Sequence, residues 1–284
     1  MNSEFIQISD ELFQRLGNMI TERYGIKMPA DKKIMFQARL QRRLRELGLD
    51  SFDDYSEMML MKGFDSQEFS IIADYVSTNK TDFFREKDHF SFLKDSILPE
   101  YLKNSRAQNY SSLKIWSAGC SSGQEAYSIA ISIEEFIRLN QTRFDYSIFA
   151  TDISSRMLKA AREAIFPMCH GDEIPLEIKY RYFLKSKNED DSKIRVVKNV
   201  RDHVTIAYLN LMDNKYAIDS KFDIIFLRNT LIYFSSEVQR NVLVKVLDKL
   251  KTGSFLFIGH SESLINMDLP IKSIAPSVYI KTNN

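Results

Sequence analysis

Between Ser112 and Asn140 small and acidic residues stand at a spacing suited to holding a nucleotide. Leu113, Ile115 and Trp116 predict a short buried strand. Gly119 and Gly123 bracket Cys120, Ser121 and Ser122, after which Tyr127, Ile129, Ala130, Ile133, Phe136 and Ile137 recur at helical spacing. A strand, a small-residue turn and a helix N-terminus make a cradle in which a ligand can reach the backbone and the first-turn N–H groups. The two glycines do not complete G-x-G-x-x-G, and Glu125 in the turn would repel a pyrophosphate. No Gly-Lys-Ser/Thr closes the turn, which excludes a P-loop. The next strand, Tyr146 to Ala150, leads to Thr151 and Asp152, an acid placed for ribose hydroxyls. Adenosine without phosphates points to S-adenosylmethionine. The alternative for Asp152 is the N-cap of a helix from Ile153 onward.

Further candidates stand on both sides of this stretch. Thr81 reads as an N-cap with Phe83 and Phe84 opening a helix, and Arg85 in its first turn is unfavourably placed for the helix dipole, which suggests carboxylate recognition instead. Phe222 to Leu227 is a mostly continuous apolar run, broken only by Asp223, the mark of a central parallel strand. Ligands bind beyond the carboxyl ends of such strands, which brings Arg228, Asn229 and Tyr233 to the site, although Asn229 could equally cap a helix and Tyr233 could be core. Val204 to Leu211 reads as another core strand with Asn210 and Leu211 at its end. Gly259 to Ser263 is not a nucleophile elbow, since Ser263 replaces the second glycine of G-x-S-x-G. His260 and Glu262 lack metal spacing; His260 is assigned a structural role, and no metal is expected.

These residues must be carried by a chain of 284, enough for one large and one small domain. A net charge of +1 gives no global pull toward nucleic acid or membrane. No apolar run approaches a membrane span, the N-terminus has no signal-peptide pattern, and two cysteines suit a reducing cytoplasm. Residues 1–75 read as a helical domain in which Phe13, Leu16, Ile20 and Tyr24, then Phe36, Leu40, Leu44 and Leu47, form apolar stripes. From Arg23 to Arg45 eight basic residues face Asp31 alone, and Arg39, Arg42 and Arg45 make a row off the apolar stripe. That row is either a solvated face or a docking surface for an acidic partner. Helical spacing continues from Asp53 to Phe69 with a break at Gly63, and the domain junction falls near Ile71 to Thr81. Helices are expected over Ser91 to Tyr101, from Met157 to Ala164, and from Glu237 to Leu250, the last closed by a glycine stop at Gly253. Residues from about 180 to 205 break the helix–strand rhythm and predict antiparallel hairpin strands with a polar tip, Lys187 to Ser192, inserted into a parallel sheet.

The string from Ile115 to Ser128 resembles the first motif of the chemotaxis receptor methyltransferases, the CheR family. Thr78-Asn79-Lys80-Thr81-Asp82-Phe83-Phe84-Arg85-Glu86, Phe226 to Phe234, Gly259 to Leu264 and the Arg-Leu pairs of the N-terminal helices are similar to further signatures of that family, in order along essentially the whole chain. The resemblance implies a Rossmann-like class I methyltransferase domain over 76–284 with a small β insertion, preceded by the all-α domain. It implies S-adenosylmethionine as cofactor, S-adenosylhomocysteine as product, and Asn79, Thr81, Arg85, Gly119, Glu125, Asp152, Asn210, Leu211, Arg228 and Asn229 as cofactor-cleft residues. Arg85 and Tyr233 would position the reaction without a general base. Arg39, Arg42, Arg43 and Arg45 would dock on the acidic methylation helices of a chemoreceptor, whose glutamates become methyl esters, and the β insertion would accept a tether peptide from the receptor C-terminus. A cytoplasmic monomer is expected. Four positions depart from the pattern: Gln124 stands for the first of two glutamates, Ala126 for a proline, Ala164 for a frequent glycine and Ile280 for an arginine. The competing class is a non-catalytic protein that binds S-adenosylmethionine or its demethylated product and acts by docking; a nicotinamide oxidoreductase is disfavoured by the missing glycine.

Overall fold

The computed structural model describes residues 6–62, 67–108, 112–188, 191–265 and 267–283. Helix α1 (Asp10–Tyr24) begins where Ser9 accepts the Leu12 N–H and ends at Gly25, φ 71°, whose N–H returns to Thr21. This is a side-chain N-cap and a left-handed C-cap, and glycine adopts the latter without strain. Helix α2 (Lys33–Leu47) turns Phe36, Leu40 and Leu44 onto Leu16, Ile20 and Phe13, with the Phe13 and Phe36 rings edge to face at 5.5 Å. Helices α3 (Phe52–Lys62) and α4 (Gln67–Val76) close this core with Tyr55 and Phe69. The break expected at Gly63 lies outside the described residues.

Helix α4 continues through Ile71–Val76, and the linker 77–82 that follows it has no regular secondary structure. No helix opens at Thr81. Residues 83–86 form a turn with Phe84 and Glu86 in the left-handed region, φ 55° and 57°, and helix α5 (Lys87–Phe92) starts only after it. Packing overrides helical spacing here: Phe83 is buried edge-on between Phe166 and Phe183, and the Phe84 N–H donates to Ser128 Oγ at 2.9 Å. The chain continues through a π turn, Leu93–Ile97, into α6 (Leu98–Gln108).

Strand β1 (Leu113–Ala118), helix α7 (Gln124–Leu139), strand β2 (Tyr146–Asp152) and helix α8 (Ser155–Glu163) follow. Ala164 ends α8 at φ 51°, in the left-handed region that glycine adopts with less strain. The antiparallel insertion starts earlier than its sequence suggests. Strands β3 (Ile165–Pro167), β4 (Phe183–Lys185) and β5 (Lys193–Val196), with helix α9 (Leu176–Tyr182) between the first two, form a separate sheet in the order β3-β5-β4, in which β4 and β5 are the expected antiparallel hairpin. Glu189 and Asp190 of the expected polar tip lie outside the described residues. After α10 (Lys198–Arg201) comes β6 (Val204–Tyr208), three residues shorter than expected, then β7 (Phe222–Leu227), α11 (Ser236–Lys249), β8 (Leu250–Ile258), β9 (Ile271–Ala275) and β10 (Val278–Lys281). The expected glycine stop after α11 does not exist. Leu250 already has extended backbone, and Gly253 lies within β8 at φ 75°.

The main sheet runs β6-β2-β1-β7-β8-β10-β9, with β10 antiparallel to both neighbours and the five strands from β6 to β8 parallel. Both faces are covered. Ile224 and Phe226 of β7 join the core under α7, whereas Ile225 and Leu227 join the one under α11, which is why the strand is apolar without alternation from Ile224 to Leu227. The chain moves outward from β1 through β2 to β6, then returns to β7 on the other side of β1. That reversal opens a crevice at the carboxyl ends of β1 and β7. Among the described residues no helix is long and apolar enough to cross a membrane.

Candidate functional site

A cavity of about 280 Å³ occupies this crevice. Its walls come from the β1–α7 turn, the ends of β2, β6 and β7, the linker 77–82 and, from the helical domain, Tyr24 and Ile26. All ten predicted cofactor residues and Tyr233 line it.

The turn after β1 is shaped by sterics. Gly119 has φ 86°, and a Cβ there would meet Thr230 Oγ1 at 2.4 Å; Gly123 has φ 95° and lies against Ala161. Asp152 is not a helix cap, since Ser154 performs that role for α8. Its carboxylate accepts the Ser121 N–H at 2.8 Å and the Ser154 N–H at 2.9 Å, which fixes it at the cavity wall. Burial pushes its pKa up against the pull of those N–H groups. Ser121, absent from the predicted set, also donates through Oγ to Asn79 O at 3.1 Å and so ties the turn to the linker. Small-residue content at 120–122 was its only sequence signal.

Arg228, Glu125 and Glu86 form an ionic cluster below the cavity. Arg228 is buried and reaches Glu125 at 3.1 Å, Glu86 at 3.0 Å and the carbonyl of Arg85. Ser117 Oγ donates to the other Glu125 oxygen at 2.6 Å. Burial raises the Glu125 pKa, with Arg228 opposing; at Glu86 burial also acts upward, but Arg228 and Asn229 outweigh it and the pKa falls. The Arg228 guanidinium is thus committed within the protein. Gln124 and Ala126, the two motif departures, are buried off the cavity, Gln124 accepting from Ser122 Oγ at 2.7 Å; neither lines it.

Asn229 is not a helix cap. It has φ 54° and donates through Nδ2 to Glu86 at 3.1 Å; only a 3-10 turn, Leu231–Tyr233, follows. Tyr233 is half-buried, and its hydroxyl donates to Thr78 O at 3.3 Å. Arg85 donates to Lys80 O at 3.0 Å and has no carboxylate partner among the described residues. Because residues 83–86 are a turn, helix dipole arguments do not explain it. Asn210 lines the cavity, but its side chain is occupied: Nδ2 donates to Arg23 O at 2.9 Å, and Oδ1 accepts from Met212 N–H. Asn210 therefore joins the two domains, while Leu211 is buried behind it.

Glu86, His89 and His260 bring ligand atoms within 4.8 Å of one another, which sequence spacing did not reveal. A cation there would compete with Arg228 and Asn229 for the Glu86 carboxylate and sit beside the guanidinium. Burial, then Arg228, lowers the His89 pKa to about 4.

The four predicted docking arginines do not share one fate. Arg39 points inward and donates to the carbonyls of Tyr75, Val76 and Ser77 at 3.1, 3.2 and 3.1 Å, holding the start of the linker. Arg43 makes a two-point pair with buried Glu68 at 2.9 and 2.6 Å, shared with Tyr55. Arg42 and Arg45 are exposed, Arg42 paired with Glu46 at 2.9 Å. The expected row off the apolar stripe is therefore reduced to Arg42 and Arg45.

A model described as the all-alpha domain of CheR methyltransferase matches residues 11–77, and one described as the SAM binding domain of CheR methyltransferase matches residues 79–280. The chain is 36% identical over 276 residues to a chemotaxis protein methyltransferase of Borreliella burgdorferi, covering 97% of this chain and 96% of that one. It is 33% identical over 262 residues to the chemotaxis protein methyltransferase of Salmonella typhimurium (92% and 87% covered) and 32% over 277 residues to that of Escherichia coli (98% and 93%). With both models in sequence order and the crevice at the switch point of a doubly wound sheet, the chain belongs to the CheR methyltransferase family, an all-α domain followed by a Rossmann-like, S-adenosylmethionine-dependent methyltransferase domain.

Proposed function

We propose that this methyltransferase esterifies glutamate side chains on the cytoplasmic methylation helices of chemoreceptors. The observation that carries the proposal is the cavity itself: Arg85 and Tyr233 stand at it beside the cofactor residues, and no histidine or cysteine lines it among the described residues. A glutamate, pKa about 4.3, is ionised near neutral pH and has no proton to give up. S-adenosylmethionine, when bound, supplies an electrophilic methyl group on a sulfonium. The chain's own task is then to bind and orient. Asp152 holds ribose hydroxyls, the Gly119 turn admits the nucleoside, and Arg85, free of a carboxylate partner, offers a guanidinium to a carboxylate. Tyr233, held by Thr78 O, fixes the approach. Orientation of this kind can supply roughly 7–11 kcal/mol of the barrier.

Exposed Arg42 and Arg45 are the docking cations in this reading, with Arg39 and Arg43 supporting the helix that carries them. The insertion leaves β3 and β4 as edges with Leu184 and Tyr180 exposed, which suits an extended receptor tether added as a strand. In this reading the protein acts in the cytoplasm, on the side of the membrane where those receptor regions lie. The test combines methyl-labelled S-adenosylmethionine, purified protein and receptor cytoplasmic fragments. Base-labile label on receptor glutamates is expected. Calorimetric cofactor binding with no label on any receptor would instead favour a non-catalytic docking protein.

A further inference from the structure

Glu262 follows β8 and does not line the cavity, yet its carboxylate collects four backbone donors. One oxygen accepts Gly259 N–H at 2.6 Å and Asn229 N–H at 3.0 Å; the other accepts Leu231 N–H at 2.7 Å and Ile232 N–H at 3.3 Å. Three of these belong to the loop that leaves β7 for the cavity. In that loop Asn229 is left-handed, Thr230 fills the space where a Gly119 Cβ would stand, and Tyr233 meets the linker. Side-chain volume is excluded on the same side, since a Cβ at Gly259 would lie 2.4 Å from Asn229 Nδ2 and 2.9 Å from Asn229 N. Parallel strands β7 and β8 pair up to Leu227 and Ile258, and beyond that point the carboxylate takes over from the ladder.

We propose that Glu262 is a positioning residue for cofactor binding, acting through the Asn229–Tyr233 loop by replacing the missing strand partner with a single anion. Left unpaired, the three loop N–H groups would no longer hold Asn229 in its left-handed geometry, which a non-glycine residue keeps only when its surroundings over-determine it. The other end of β7 supplies a control. Asp223 accepts Lys114 N–H at 2.9 Å and Lys251 Nζ at 2.6 Å, also joining neighbouring strands, but far from the cavity.

The experiment titrates S-adenosylhomocysteine into the full-length protein by calorimetry, with thermal melting of each variant, so its result is independent of the methyl acceptor. Glu262→Gln keeps the shape but presents an amide to the N–H cluster. It is expected to weaken S-adenosylhomocysteine binding at least fivefold, whereas Asp223→Asn shifts binding less than twofold for a similar loss of melting temperature. If Glu262→Gln does not fold, Gly259→Ala, which pushes on Asn229 with the carboxylate intact, is judged by the same fivefold criterion. Less than fivefold weakening in the deciding variant, or equal weakening in Asp223→Asn, overturns the proposal.

Discussion

The cavity and helix α2 were both marked by charge and spacing, and the structure treats them differently. At the cavity, all ten cofactor residues predicted by motif meet around one space. On α2, four arginines of like appearance divide into two that hold the protein together and two that face solvent. The cavity motifs contain backbone requirements, such as positive φ at Gly119 and Gly123, that few residue types satisfy. An arginine on a helix carries no such requirement, so its number in the chain does not tell whether it meets a carboxylate, a carbonyl or water.

Substitutions can sharpen that contrast. Arg43→Ala should have the largest effect, about 3 kcal/mol of lost stability in urea unfolding, because it takes the guanidinium from buried Glu68 and leaves the carboxylate to neutral donors such as Tyr55. Unchanged stability would return Arg43 to the docking face. Asp152→Ala should weaken S-adenosylmethionine binding about a hundredfold by calorimetry, roughly 2.7 kcal/mol, through loss of charge-assisted hydrogen bonds to the ribose, and should lower melting as well, because the Ser121 and Ser154 N–H groups lose their acceptor. Arg39→Ala should cost about 2 kcal/mol of stability by giving up three carbonyl contacts. Because those carbonyls lead into the linker, its cofactor affinity should fall as well, which a docking residue would not show. Arg42→Ala should change stability by less than about 0.5 kcal/mol, its pair with Glu46 being exposed. Any loss should then appear only in receptor labelling; equal loss of cofactor affinity in Arg42→Ala and Arg85→Ala would erase the distinction between the two regions.

Much of the catalytic sheet could be read from sequence because β1 and β7 are mostly apolar, with Lys114, Ser117 and Asp223 the exceptions, and are followed by polar motif residues. The boundaries that were misread share one cause. Phe83 and Phe84 have helical spacing, but burial of Phe83 between Phe166 and Phe183 selects a left-handed turn. Leu250 to Gly253 looks like a helix end, but pairing with Phe222 draws Leu250 into β8. Tyr24 and Ile26 gave no sign of lining a cavity, since nothing local connects the end of α1 to a site some hundred residues later. The role of Glu262 stayed hidden for the same reason: its partners are main-chain N–H groups, most of them in the loop after β7, which carry no residue-type signature.

The two domains meet through side chains, among them the Arg23–Asp213 ion pair at 3.3 Å, and also through the polypeptide backbone. Lys27 N–H donates to Tyr233 O at 3.1 Å, Asn210 reaches Arg23 O, and Tyr233 reaches Thr78 O. A carbonyl oxygen is supplied by every amino acid, so the Asn210 contact would survive substitution at position 23 although the Arg23–Asp213 ion pair would not, while the side-chain donor at Asn210 has no such freedom. Gly25 is held for a second reason, since a Cβ would press within 2.7 Å of Met212 Sδ. Selection can therefore remodel the outer surface of the helical domain toward new binding partners while a few fixed side chains keep it seated on the enzyme, an arrangement that favours rapid divergence of recognition over a constant chemistry.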